Sequence, residues 1–158
     1  MQLSEIQLDG YNVFCHGLDS STNRGVLLYV AADVQVSLVD MPSAFEEHIF
    51  IMLKNKHFSN QLLIGNIYRS PNSAEENDNK LYELLNYLQN KFEVPMLITG
   101  DFNYCHIEWY QDYGHGASAK CSGLSDNDMK CINTLRQNFF LQHITNPTRQ
   151  RVQMFHIY

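Results

Sequence analysis

No stretch of this 158-residue sequence approaches the roughly 18 apolar residues of a membrane-spanning helix, and Met1 to Gly10 lacks the basic and apolar regions of a secretory signal. Asn-x-Ser/Thr sequons are absent. The four cysteines, Cys15, Cys105, Cys121 and Cys131, have no C-x-x-C spacing. A disulfide framework is therefore not expected, and a reduced intracellular compartment is, nucleus and cytoplasm being equally compatible. Zinc chemistry also lacks its parts: His106-Ile107-Glu108 has the H-x-E of zinc deaminases, but Cys121 and Cys131 lie ten residues apart instead of forming P-C-x-x-C. Positive charge is scarce as well. Seventeen acids against eleven Lys and Arg give a net charge of −6, so broad electrostatic attraction to DNA phosphates is not expected; Arg69, Lys120, Arg149 and Arg151 remain as material for a local patch.

What is present suits one folded domain spanning 1–158. With 44% apolar and 18% charged residues the chain is globular in composition, and its length suffices to bury roughly 70% of the unfolded surface. No repeat, low-complexity run or linker interrupts it. Tyr11–Phe14, Val26–Val30, Val34–Leu38 and His48–Leu53 are short β-rich runs separated by turn residues, which predicts successive antiparallel strands. The period then changes. Leu81, Leu84, Leu85, Leu88 and Phe92 form one helical stripe, which predicts a helix over about 76–92 with Ser73 and Glu76 as its capping box and Pro95 as its stop. A second helix is predicted over about 125–139. Ser125 and Asp128 supply its capping box, Leu124 and Met129 a hydrophobic staple, and Ile132, Leu135 and Phe139 its buried side. Gln111 to Gly123, rich in small residues around His115, reads as a long surface loop. The class is α/β.

The chemistry concentrates in two strand ends. Met96-Leu97-Ile98-Thr99 runs into Gly100-Asp101-Phe102-Asn103; if the extended backbone continues, Asp101 and Asn103 share a face and Phe102 turns inward. A carboxylate there can orient a water or hold Mg²⁺, and an amide can bond a phosphoryl oxygen. Gly-Asp and Asp-x-Asn are equally ordinary turn chemistry. The second end is Gln61-Leu62-Leu63-Ile64-Gly65-Asn66-Ile67-Tyr68-Arg69-Ser70-Pro71-Asn72. Two further groupings carry less. Cys105 with His115 or His143 would make a nucleophile and base pair, though a free Cys beside aromatics more often packs as a small hydrophobe. Trp109 with Tyr104, Tyr110 and Tyr113 would either stack a base or cover the loop root.

The order strand, Tyr-x-x-Pro-Asn, helix, buried strand, Gly-Asp-Phe-Asn resembles the endonuclease/exonuclease/phosphatase superfamily, and within it the endonuclease domain of non-LTR retrotransposons. Asp9-Gly10-Tyr11-Asn12-Val13-Phe14 and Arg24-Gly25-Val26-Leu27-Leu28-Tyr29-Val30 look like the family's early strands, and Leu141-Gln142-His143-Ile144 with Asn146-Pro147-Thr148-Arg149 like a late one. The likeness spans about residues 8 to 151. It implies a two-sheet αββα sandwich of the DNase I-like kind, DNA as partner with no membrane or stable protein partner, Mg²⁺ as cofactor, and phosphodiester hydrolysis that nicks DNA. By the same resemblance Asp101 positions or deprotonates the water, Asn103 donates to the phosphate, Tyr68 reaches it through its hydroxyl, and Asn72 contacts the nucleic-acid backbone. Arg69 stays open between a phosphate and a neighbouring carboxylate.

Departures from the pattern bear on activity. The family's Asn and metal-binding Glu precede the first matched strand, and its Leu-Asp strand and Ser-Asp-His follow the last; neither pair occurs here, and His156 has no Ser-Asp-His context. Metal ligands are thus not assigned by the sequence. Arg151 to Tyr158 shows no likeness as written, but if a G precedes the Val152 codon and a TAG stop follows Tyr158, the codons read one base earlier permit a Gly-x-Asp-x-Pro-His-x-Leu-Asp run; a one-base frameshift is the hypothesis this raises. The expectation is an incomplete sandwich, truncated at both ends and inactive, with open sheet edges. The rivals are an active phosphatase or nuclease in which Glu5, Glu46 or Glu47 replaces the metal carboxylate beside Asp101, and a non-catalytic binding fragment.

Overall fold

The computed structural model describes residues 5–17, 25–54, 61–112 and 116–145. Arg24, Tyr113, His115 and everything from Asn146 onward, including Arg149, Arg151, His156 and the frameshift segment, lie outside the described residues. Two compact units divide the chain, Met1–Asn103 and Tyr104–Tyr158.

In the first unit, β1 (Tyr11–His16) and β2 (Val26–Ala31) form an antiparallel pair, and β3 (Val36–Val39), β4 (His48–Lys54), β5 (Gln61–Tyr68) and β6 (Met96–Asp101) form a four-stranded sheet in that order. β3 begins two residues later than its apolar pattern suggests, because Ala31 to Val34 close a turn through the Val34 N–H and Ala31 carbonyl (3.0 Å). β3, β4 and β5 are antiparallel, whereas β6 runs parallel to β5. That parallel step requires a crossover, and α1 (Glu75–Lys91) supplies it. Among the described residues, side-chain bonds tie the small β1–β2 sheet to the larger one. The Asn66 amide donates to the Leu27 carbonyl (3.1 Å), and His16 Nδ1 bonds the Glu46 carbonyl (2.7 Å).

Burial follows the topology. β4 is dry along Ile49, Phe50, Ile51 and Met52, as expected of a strand flanked on both sides. On β5, Leu63, Gly65 and Ile67 are buried and alternate with half-buried neighbours. Gly65 is required here, since a Cβ would enter the ring of Phe50, its cross-strand partner. The helical stripe Leu81, Leu84, Leu85 and Leu88 is almost fully removed from water, an amount of burial worth about 1.5–3 kcal/mol for each such side chain. β6 is not the buried strand that its sequence suggests. It is an outer strand of its sheet, with Leu97 47% exposed and Thr99 and Asp101 open.

The start of α1 also differs from expectation. Its N-cap is Ala74, without a side-chain cap, because Ser73 belongs to the preceding turn: its N–H donates to the Ser70 carbonyl and its hydroxyl accepts from Asn77. Glu75, Glu76 and Asp78 instead favour the positive end of the helix dipole. The chain is already extended at Phe92, ahead of Pro95, whose carbonyl accepts from Leu63 and opens the β6 register.

The second unit contains β7 (Trp109–Asp112), β8 (Gly116–Ala119) and α2 (Asp126–Gln137). Within the span predicted as a loop, Gln111 and Asp112 end β7 and Gly116–Ala119 form its antiparallel partner β8, with Gln142 bridged to Ala117; small residues in β8 masked the strand period. Ser125 and Asp128 do form the predicted capping box, the hydroxyl accepting from Asp128 N–H and the carboxylate from Ser125 N–H. Phe139, expected on the buried side, is 81% exposed: the helix ends at Gln137 and Phe139 takes a left-handed conformation (φ 57°) beyond it. Cys105, expected to pack, is exposed. Tyr110 is exposed too. Among the described residues no helix is long and apolar enough to cross a membrane.

His48, at the start of β4, is buried, and its Nδ1–H donates to the Phe45 carbonyl (2.7 Å). Burial lowers its pKa below the usual histidine value, and the nearby charge of His16 adds to the fall, while the carbonyl bond and Asp40 oppose it. In the window between that lowered value and about 6.5 the unfolded chain binds more protons than the folded one, so stability falls as pH drops through it. Urea unfolding in EDTA-containing buffer should show a lower midpoint at pH 5.5 than at pH 7.5, and His48→Gln should flatten this dependence. An equal slope in the variant would assign it to other groups.

Candidate functional site

The parallel register sets Tyr68 directly beside Asp101, on strands about 4.8 Å apart. On the other side of Tyr68, its N–H donates to the Glu47 carbonyl (2.9 Å), so Glu47, Tyr68 and Asp101 form one row across the end of the sheet. The expected meeting of Tyr68 and Asp101 is therefore present.

Just past this row the backbone turns sharply. Gly100 has φ of 130°, and a Cβ there would collide with the Ile67 carbonyl, so only glycine permits the close approach of β6 to β5. Asn103 has φ of 51°, a left-handed conformation that Asn tolerates better than most residues. Strand alternation accordingly stops at Asp101 and does not orient Asn103. Asp101 Oδ1 instead accepts from the Asn103 N–H (3.3 Å), which is an Asx turn, and the Asn103 amide donates to the Arg69 carbonyl (2.6 Å). Phe102 is half-buried.

Arg69 resolves its two readings toward the carboxylate. Its side chain is buried, with Nε on Asp78 Oδ1 (2.6 Å) and Nη2 on Asp78 Oδ2 (2.8 Å), a planar fork against a planar carboxylate. Nη1 donates to the carbonyls of Asn103 (3.1 Å), Phe102 (3.3 Å) and Ser70 (3.4 Å). The Arg69 N–H also donates to the Asp101 carbonyl (2.8 Å). Of the two readings left open by the sequence, Arg69 takes the carboxylate, and its fork positions the turn after β6. The sequence does carry a signal for its partner: Asp78 is an acid on the otherwise apolar stripe of α1.

The five candidate residues therefore divide. Arg69 and Asn103 hold the turn. Tyr68, Asn72 and Asp101 present groups outward: among the described residues the Tyr68 hydroxyl and the Asn72 amide have no hydrogen-bond partner, and one Asp101 oxygen is uncommitted. Asn72 also lines a polar hollow of about 350 Å³ whose walls include Glu46, Glu47, Ser70, Asn77 and Lys80. Glu5 does not border it.

No family model matches the chain, and no curated protein sequence does. A search of solved structures finds the endonuclease domain of TRAS1, a telomere-specific non-LTR retrotransposon, with a TM-score of 0.55 and 12% identity over 83% of this chain. The chain covers 53% of that domain, about half its length. The likeness is one of fold: the protein has the mixed α/β, DNase I-like architecture of that endonuclease domain.

Removing one partner of the Arg69–Asp78 pair leaves a buried charge uncompensated. Asp78→Ala should lower unfolding stability by about 3–5 kcal/mol in urea titration, whereas loss of the exposed Lys80–Glu76 pair through Glu76→Ala should cost less than about 1 kcal/mol. Equal effects from the two substitutions would contradict the importance given to the buried pair.

Proposed function

We propose that this chain carries the phosphodiester-binding part of a nuclease-type site, inherited from a retrotransposon endonuclease and acting on DNA, and that the chain by itself does not nick. The observation that carries the reading is the pairing of Tyr68 with Asp101 at the sheet end, with Asn103 held beside them through Arg69. The TRAS1 domain's name supplies the enzyme class, and the fold likeness supports its transfer.

Chemically, the Tyr68 hydroxyl can donate to a nonbridging phosphate oxygen, and the Asn72 amide can do so one nucleotide away along the backbone. The uncommitted Asp101 oxygen can orient a water against the phosphorus. The second Asn103 amide hydrogen adds a donor from a rigid turn. None of these groups brings positive charge, and the forked cation nearby, Arg69, faces inward. Binding is therefore weak without another cation.

Mg²⁺, which the family implies, takes oxygen ligands from one or two carboxylates plus water and phosphate, and would offset charge on the scissile phosphate. Among the described residues no group of three or more His, Cys, Asp or Glu could hold a metal ion, and the Asp101 carboxylate is partly engaged by its own turn. These residues do not make a complete ion site.

A supercoiled-plasmid assay with Mg²⁺ or EDTA tests the reading. The chain as written should give no metal-dependent nicking. A version extended with upstream and downstream family sequence should nick, and Asp101→Ala in that version should reduce the rate by roughly 10²-fold or more. An extended chain that is active yet insensitive to Asp101→Ala would remove Asp101 from the site.

One observation favours the rival of an active enzyme with substitute ligands: Glu46 and Glu47 line the hollow that contains Asn72, and Glu47 belongs to the Tyr68–Asp101 row. On that reading the unextended chain nicks DNA or hydrolyses a phosphomonoester with Mg²⁺, and Glu47→Gln abolishes it. Inactivity toward both substrates would exclude it.

A further inference from the structure

The two histidines at the junction of the sheets form a second constellation, independent of the nuclease reading. His16 ends β1 and His48 begins β4, 32 positions apart in the chain, yet their ring centroids lie 5.4 Å apart with an interplanar angle of 53°. Each ring is held by the same kind of bond. His16 Nδ1 contacts the Glu46 carbonyl at 2.7 Å, and His48 Nδ1 contacts the Phe45 carbonyl at 2.7 Å. A carbonyl only accepts, so both Nδ1 atoms carry the hydrogen and both Nε2 atoms keep their lone pairs when the rings are neutral. Backbone-carbonyl bonding of one ring nitrogen is the outer-shell arrangement that fixes metal-ligating histidines.

Neither Nε2 has a hydrogen-bond partner among the described residues, and no buried side-chain nitrogen there is left unsatisfied. The His48 Nε2 therefore touches solvent although the residue as a whole is buried, and His16 is exposed. The centroid separation of 5.4 Å leaves room for one shared ion. With metal–nitrogen distances of about 2.0–2.1 Å and a roughly tetrahedral angle, two imidazoles bound to one ion have centroids about 5 Å apart. Asp40 is near enough to act electrostatically on His48, and its carboxylate favours a cation there.

We propose that His16 and His48 bind a borderline divalent transition ion such as Zn²⁺ through their two Nε2 atoms, with water completing the coordination, so that the ion clips the β1–β2 sheet to β4. Neutral imidazole suits Zn²⁺ in preference to Mg²⁺, which selects hard oxygen ligands. The site differs from the Tyr68–Asp101 row in both chemistry and position. His48 pairs with Ile67, which pairs with Gly100, one row further into the sheet.

The probe is Zn²⁺ alone, added to the full chain and followed through the imidazole nitrogens by long-range ¹H–¹⁵N NMR. Of the seven histidines, the first to respond should be His16 and His48, with their Nε2 resonances moving and Nδ1 unchanged in protonation. His16→Ala, at an exposed position, should weaken Zn²⁺ binding at least tenfold in a competition titration with a chromophoric chelator. Excess Mg²⁺ should leave both resonances in place. The proposal is overturned if other histidines respond first, or if His16→Ala weakens binding less than tenfold. A His16→Ala chain that retains the wild-type far-UV circular dichroism keeps the second outcome interpretable.

Discussion

The buried ion pair between Arg69 and Asp78 governs the end of the sheet where β5 and β6 finish. Arg69 follows β5 directly and Asp78 sits in the first turns of α1, so the pair fixes how the crossover helix leaves the sheet. The same guanidinium reaches the carbonyls of Phe102 and Asn103, which belong to the turn after β6. Three segments remote in sequence are thus referred to one planar cation. Burying both ions costs several kcal/mol each, which only a well-aligned, fully bonded geometry offsets. The fork-to-fork alignment and the added carbonyl acceptors meet that condition, and they explain why a lysine, with no planar fork, would not serve.

Around that clamp the constraints are steric. Gly65 leaves room for Phe50, and Gly100 lets β6 approach the Ile67 carbonyl. The outcome is a turn in which Asp101 and Asn103 bond to each other's surroundings and Tyr68 stands beside them. This turn follows directly on β6, in a chain of mixed α/β, DNase I-like architecture.

Much of this was legible in the sequence, for identifiable reasons. The leucine stripe of α1, the Ser125–Asp128 cap, and the two strands ending at Tyr68 and Asp101 are local patterns, and each appears in the structure. What failed was non-local or conformational. The start of α1 was misread because Ser73 is engaged by Asn77 and a preceding turn. Phe139 fits the helical period, but the chain leaves the helix first. β8 is too rich in Gly, Ala and Ser to show strand character. The destination of Arg69 was undecidable from spacing, since a forked cation beside a phosphate-type motif and one buried on a helix acid look the same in one dimension. The His16–His48 approach was invisible for the same reason: the pair is made by sheet packing.

The coupling of the turn to the ion pair is tested most directly by residue-resolved amide hydrogen exchange on Asp78→Asn, which keeps the shape of the side chain and removes its charge. Exchange at Arg69, whose N–H is bonded to the Asp101 carbonyl, and at Asn103, whose N–H is bonded to the Asp101 carboxylate, should accelerate far more than at Phe50 or Ile51 in β4. Unchanged protection at Arg69 and Asn103, or a uniform acceleration that includes β4, would show that the turn holds its shape without the clamp.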